Sequence, residues 1–226
     1  MAITQATPTS PPATTRQRRR FTADEYHRMA DAGILAEAER VELLDGDVVE
    51  MSPIGDPHVA AVTRCGRAFA PAWVAGRLTL HTQDPVRLDR HNEPQPDLAL
   101  ARPGVEAAPR PGEILLAIEV ADTSVEDDRA VKVPLYARAG IPETWLLNVR
   151  DGALEVYREP GPAGYARTLT LRPERQVACE AFPDIVLRVA DLLPPPELAR
   201  RRAWEAEQTP EQAADQTREQ GREVER

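Results

Sequence analysis

The chain has only two cysteines, Cys65 and Cys179, far apart and in neither a CxxC spacing nor a histidine cluster. That excludes a disulfide scaffold and offers no zinc site, so both read as free, partly buried thiols. No run approaches the roughly 18–20 consecutive apolar residues of a membrane span, and the start lacks the apolar core of a secretory signal. A cytoplasmic protein without membrane contact is therefore expected. There is no GxGxxG, no GxxxxGK(S/T), no GxSxG and no internal repeat, so nucleotide-loop and serine-hydrolase chemistry have no motif behind them. Basic excess is missing too: the formal net charge is −9, which argues against a protein that grips nucleic acid through a broad basic surface.

What is present is enough apolar material, 42% of 226 residues, for one well-buried core and not for two. Residues 1–20 are mostly Thr, Pro, Ser, Ala and Gln and hold four arginines and no acid, which predicts a disordered, Arg-ending arm. Residues 21–193 carry the domain. In 194–226, 14 of 33 residues are charged and follow a triple proline, which predicts a frayed helix or a disordered tail.

Along the domain, Thr22 with Glu25 forms a capping box for a short helix that ends before Gly33. VELLDGDVVEM reads as a hairpin around Asp45-Gly46, with Glu42 on its first strand. Asp56-Pro57 reads as the cap and first position of a helix that carries Val59, Val62, Phe69 and Trp73 toward the core and ends near Gly76. Strand-like runs follow at 77–82, 85–89 and 97–101, then the almost wholly apolar EILLAIEVA at 113–121, as expected of a strand covered on both faces. SVED from Ser124 resembles a second capping box, opening a helix with Val131, Leu135 and Ala139 at four-residue spacing and Gly140 at its end, with Pro134 early in it or kinking it. TWLLNV and LEVYR flank a second hairpin at Asp151-Gly152, and Tyr165 to Leu171 adds a strand. This order predicts an α/β fold, a mixed central sheet flanked by helices.

Asp97 in Gln95-Pro96-Asp97 heads one strand, and Glu119 stands near the end of the buried one. An ionised carboxylate beside the middle of a sheet is costly unless a cation, a base or several donors compensate it, and for two of them a divalent metal is the simplest compensation. The plainer alternative pairs Glu119 with an arginine and leaves Asp97 as the residue after a turn-forming proline. Lys132 weighs against it, because it is the one lysine among 28 basic residues. A compact ammonium that can be buried is not freely replaced by a guanidinium. Lys132 lies thirteen residues after Glu119, on the helix leaving that strand.

The ordered series RVELLDGDVVEMSP, His58, QPDLAL, LLAIEVADTS and DRAVKVPLYARAGIPETWLLN resembles the "putative restriction endonuclease" family, formerly a domain of unknown function, within the PD-(D/E)XK nuclease superfamily. The likeness spans roughly residues 20–193 and leaves out both tails. It implies a restriction-endonuclease-like fold in which Asp97 and Glu119 ligate Mg²⁺ or Mn²⁺, aided by the main-chain carbonyl of Val120. It further implies that Lys132 positions or activates water and that Glu42 is an additional acid with a lesser claim as a ligand. The chain departs from the superfamily pattern at Ala121, two residues after Glu119, where the lysine of (D/E)XK would stand. Lys132 is the natural substitute.

Other polar residues carry plainer readings beside functional ones. Glu42 is otherwise the polar face of a hairpin strand. His58 sits in a first helical turn, where it caps, lies on the surface or assists proton transfer. Gln95 orients Glu119 or a water, or satisfies a turn. Asp122, Asp127 and Asp128 rival the ligands but stand at a helix start, where capping is the better reading. Tyr136 is core or lines the site with its hydroxyl. The resulting expectation is a divalent-metal-dependent endonuclease that hydrolyses phosphodiester bonds in DNA, using a local groove, the arginine arm or a partner to hold it; a homodimer stays open. Two rivals remain: a catalytically inactive nuclease-fold interaction module, assembling through its C-terminal tail, which the 4% aromatic content and the negative charge suit, and a metal-dependent hydrolase of a small phosphate ester that uses the same residues.

Overall fold

A computed structural model describes residues 18–36 and 38–198. The arm before Arg18 and the tail after Leu198 lie outside the described residues. Helix α1 (Ala23–Asp31) starts on the capping box: Thr22 Oγ1 accepts the Glu25 N–H at 3.2 Å, and Glu25 Oε2 accepts the Thr22 N–H at 3.0 Å. Strands β1 (Val41–Leu44) and β2 (Asp47–Glu50) form the first hairpin. Asp45 and Gly46 both take positive φ, 49° and 80°, as a two-residue turn with the right twist requires. The hairpin is a sheet of its own, clipped to the chain at 91–95 by a bridge between Leu43 and Glu93 and by the Gly46 N–H on the His91 carbonyl at 2.8 Å.

Helix α2 (Asp56–Val74) starts one residue earlier than its sequence suggests, with Gly55 at the N-cap. Its buried face is Ala61, Cys65, Phe69 and Ala72, whereas Val59 and Trp73 are half exposed, contrary to expectation. The buried line repeats at four, four and three residues, and small side chains let the helix lie close on the sheet. Val59 and Trp73 fall off that line.

The central sheet has six strands in the order β3 (Thr79–Thr82), β4 (Leu98–Ala101), β5 (Ile114–Ala121), β6 (Glu143–Asn148), β7 (Ala153–Gly161) and β8 (Gly164–Leu171). Every neighbouring pair is antiparallel except β5 and β6, which are parallel. A parallel pair needs a crossover, and the helical segment 125–138 provides it. The expected strand at 85–89 does not form. Pro85 lacks an N–H, and the chain turns back at once, with the Leu88 N–H on the Asn92 carbonyl at 2.9 Å. The β6–β7 turn is also longer than a two-residue hairpin, running over 149–152 with Asn148 Oδ1 accepting the Asp151 N–H. A small two-stranded sheet, β9 (Gln176–Val177) with β10 (Leu187–Arg188), and helix α5 (Val189–Leu192) close the domain against α2.

The crossover segment departs most from expectation. It consists of α3 (Val125–Asp127), a π-turn over Asp128–Lys132 and α4 (Val133–Arg138). Pro134 has no N–H to continue an α-helical ladder, and the Val133 N–H reaches back five residues to the Asp128 carbonyl. The phase shifts, so Val133, Leu135, Tyr136 and Ala137 are buried while Val131 and Ala139 are only partly so. Ser124 makes no backbone cap.

Successive β5 side chains alternate between two cores. Leu116, Ile118 and Val120 pack toward the face that α2 covers, and Ala117 packs with Tyr136 and Ile141 on the other. Glu119 therefore projects to the face that carries the crossover helix. Both cysteines are free and fully buried, not partly so. Among the described residues no helix is long and apolar enough to cross a membrane.

Candidate functional site

Four distant stretches of chain meet beyond the end of β4, around a cavity of about 430 Å³. The Pro96-Asp97 pair explains the opening. Continuing the register that sets Leu98 opposite Ile118 puts Asp97 opposite Glu119 and Pro96 opposite Val120. Proline cannot donate, so the ladder stops, and the Val120 N–H turns to Asp97 Oδ2 at 2.8 Å. In a strand the N–H and C=O of one residue point the same way, so the Val120 carbonyl faces the gap that Pro96 leaves.

Asp97 Oδ1 accepts from Gln83 Nε2 at 3.3 Å and lies 2.9 Å from His58 Nε2, in the first turn of α2. That last approach is close but badly angled, and the buried ring nitrogen is left without a hydrogen bond. His58 is thus neither a cap nor a surface residue.

Glu119 is 2% exposed. Its Oε1 accepts the Tyr136 hydroxyl at 2.5 Å, and its Oε2 lies 3.5 Å from Lys132 Nζ. Burial pushes the Glu119 carboxyl well above the ordinary range; Lys132 opposes this, and Asp128, Asp97 and Glu42 add to it. Tyr136 does not line the cavity, but its hydroxyl holds Glu119 from behind. Burial and the adjacent Glu119 push that hydroxyl up as well, so it stays a donor.

Lys132 Nζ lies 3.1 Å from Glu42 Oε1 and 3.7 Å from Asp128 Oδ1, besides the Glu119 contact. Burial alone would lower its pKa, yet Glu119, Glu42 and Asp128 outweigh burial and hold the ammonium above its usual range. Lys132 is therefore a fixed cation. Such an ammonium can orient neighbouring groups and stabilise negative charge.

Glu42 Oε2 accepts the Gln95 N–H at 3.1 Å, and Gln95 Nε2 donates to the Val41 carbonyl at 3.3 Å. Gln95 thus steadies Glu42, not Glu119. Asp128 is buried, accepts from Ser124 Oγ at 2.6 Å and pairs with Lys132, so the capping reading does not describe it. Asp122 and Asp127 line the cavity wall.

A model of the Uma2 family, described as "Putative restriction endonuclease", matches residues 23–190 of this chain. The chain belongs to the Uma2 family. Among solved structures, the crystal structure of "a putative nuclease belonging to DUF820" from Anabaena variabilis ATCC 29413 superposes with a TM-score of 0.61 at 17% identity, covering 76% of this chain and 97% of that one. That likeness establishes a restriction-endonuclease-like fold, a mixed central sheet flanked by helices. No curated protein matches the chain. Membership of Uma2 supports a nuclease as the broad class of activity.

The donor set can be tested against a divalent ion. Among the described residues no group of three His, Cys, Asp or Glu side chains is gathered so as to hold a metal. Both Glu42 oxygens are engaged, by Lys132 and by the Gln95 N–H. The oxygens of Asp97 and Glu119 are engaged too, by the Val120 N–H and Gln83 and by Tyr136 and Lys132, but each carboxylate oxygen keeps a further lone pair, and these two acids adjoin Val120, one through its N–H and the other in sequence. Two carboxylates and one carbonyl, all oxygen, suit Mg²⁺ or Mn²⁺, which keep several waters and need few protein ligands. The cavity as a whole is lined by nine acidic residues, one lysine and one histidine, an environment that favours a cation over a bare phosphate.

The Gln83, Ser124 and Asp128 contacts are not legible in the sequence motifs. The signal for Asp128 was its place four residues before Lys132, which lies four before Tyr136.

Proposed function

We propose that this protein is a divalent-cation-dependent endonuclease that hydrolyses phosphodiester bonds in DNA. The observation that carries the reading is the convergence of Asp97, Glu119, Glu42 and the protein's one lysine on a single cavity, each from a different stretch of chain. Asp97, Glu119 and the Val120 carbonyl would hold Mg²⁺ or Mn²⁺, in keeping with a fold family that generally uses divalent metals. Such an ion would lower the pKa of a bound water and shield the charge that grows on the phosphate. Asp97 is fixed for this by the Val120 N–H, and Glu119 by Tyr136. Lys132, held as an ammonium, stabilises the anionic transition state. Glu42 keeps Lys132 turned toward the cavity, and the His58 nitrogen is placed to accept or donate a hydrogen bond to an incoming group.

The acidic lining supports delivery of DNA by a local groove, by the arginines before α1 or by a partner, since the cavity itself repels phosphate. The free buried thiols suit a reducing compartment such as the cytoplasm. The same lining favours a second reading, hydrolysis of a small phosphate ester that enters already bound to its cation. Incubating supercoiled plasmid with Mg²⁺ or Mn²⁺ and the native protein, Asp97→Ala or Lys132→Ala tests the proposal. Cation-dependent nicking by the native protein alone supports it, whereas equal nicking by all three removes the site. No nicking, with release of phosphate from a small ester, would favour the second reading.

A further inference from the structure

The π-turn at Asp128–Lys132 has a geometric consequence. In an α-helix, at about 100° per residue, two successive steps of four residues drift by about 80° around the axis, so positions 128, 132 and 136 would share one broad face but fan across it. A wider turn closed by a five-residue bond rotates less per residue and takes back much of that drift. Asp128, Lys132 and Tyr136 are all buried, and they make a continuous chain of contacts to one carboxylate. Ser124 Oγ donates to Asp128 Oδ2 at 2.6 Å, Asp128 Oδ1 lies 3.7 Å from Lys132 Nζ, and Lys132 and Tyr136 each reach Glu119.

Lys132 thus meets carboxylates from two sides. Glu42 and Glu119 belong to the cavity floor, and Asp128 belongs to the lysine's own helical segment. Without the third acid, the ammonium would be shared by Glu42 and Glu119 alone and drawn closer to Glu119, the group that the proposed chemistry needs free. We propose that Asp128, steadied by Ser124 on the π-turn, is a positioning residue that holds the Lys132 ammonium beside Glu119 without letting it collapse onto it. This rests on the nuclease reading for its consequence in catalysis, but not for its geometry.

The test uses the fact that Lys132 is the one lysine of the chain. In ¹⁵N-labelled full-length protein, the side-chain ammonium region therefore contains a single lysine signal, and its hydrogen-exchange rate reports how firmly the ammonium is held. Asp128→Asn is nearly isosteric and should speed that exchange about tenfold or more, the size expected for losing one charge-assisted contact. Ser124→Ala should speed it several-fold, and Glu126→Gln, at an exposed acid of the same segment, should leave it unchanged. On DNA at saturating Mg²⁺, Asp128→Asn should lower kcat by about 10- to 100-fold with KM little altered, as for an interaction felt in the transition state. An unchanged ammonium signal in Asp128→Asn overturns the proposal. If that variant does not fold, an unchanged signal in Ser124→Ala overturns it instead. A native protein without nuclease activity but with the expected exchange rates would sink the nuclease reading and leave the positioning role standing.

Discussion

Replacing Lys132 by methionine keeps an unbranched side chain, one atom shorter, and removes its charge from between Glu42, Glu119 and Asp128. Lys132 is 7% exposed and its three partners are 4%, 2% and 5% exposed, so little water is present to take over. Removing one member of a buried ion cluster costs about 3–5 kcal/mol. Glu119, already pushed upward by burial, can relieve part of this by staying protonated, which favours the lower end. For a domain of this size, about 3 kcal/mol corresponds to roughly 6–12 °C in Tm. The sign reverses on adding a divalent cation. With the competing ammonium gone, Asp97, Glu119 and Glu42 should bind Mg²⁺ more tightly than in the native protein, and binding to the folded state alone recovers stability by mass action. Calorimetric scans of native and Lys132→Met protein, each in EDTA and in MgCl₂, make the comparison. The expected pattern is a destabilised variant in EDTA, a larger Mg²⁺ shift in the variant than in the native protein, and no nuclease turnover. Equal Tm values in EDTA, or equal Mg²⁺ shifts, would refute the reasoning that Lys132 neutralises the cation site.

Gly46→Ala should unsettle the hairpin that carries Glu42. Gly46 has φ +80°, and an added Cβ would fall 2.5 Å from the Arg20 Cβ, so a loss of about 1–3 kcal/mol is expected in urea unfolding. The same variant should lose nuclease rate in proportion to the displacement of Glu42. Cys65 and Cys179 give a pH dependence. Burial pushes both thiols up to about 12, against about 8.5 in the unfolded chain, so only the unfolded state ionises between those values and stability falls as pH rises through that window. Each thiol contributes a slope of up to about 1.4 kcal/mol per pH unit there. Urea midpoints of the native protein and a Cys65→Ala, Cys179→Ala double variant at pH 7 and 10 should show the shallower loss in the variant.

Much of the fold can be read from local sequence because the local signals agree with the tertiary result. The Thr22–Glu25 box, the Asp45-Gly46 turn and the apolar run at 113–121 each specify their element without help. The misreadings have a common cause, namely that burial is decided by neighbours distant in sequence. Val59 and Trp73 look like core residues, yet the closeness of α2 to the sheet gives the buried face to Ala61, Cys65 and Ala72. The 85–89 run looks like a strand, but bonds to Asn92 fold it back. At the site, Asp97, Glu119 and Lys132 could be singled out as costly or unusual residues and Glu42 only through the family resemblance, and the structure brings them together. Asp128 is, in the sequence, only one of three rival ligands, because a run of acids at a helix start looks like capping until the π-turn rotates one of them inward. Likewise, only the structure shows that Lys132 faces three carboxylates, which favour its charged form.

The most direct test of the proposed cation site is a crystal of the full-length protein soaked in MnCl₂ and measured at the manganese absorption edge. An anomalous peak within ligand distance of the Asp97 and Glu119 carboxylates and the Val120 carbonyl, with the Lys132 ammonium beside it, is the expected result. Manganese bound elsewhere, or none at concentrations that support DNA cleavage, would contradict the account.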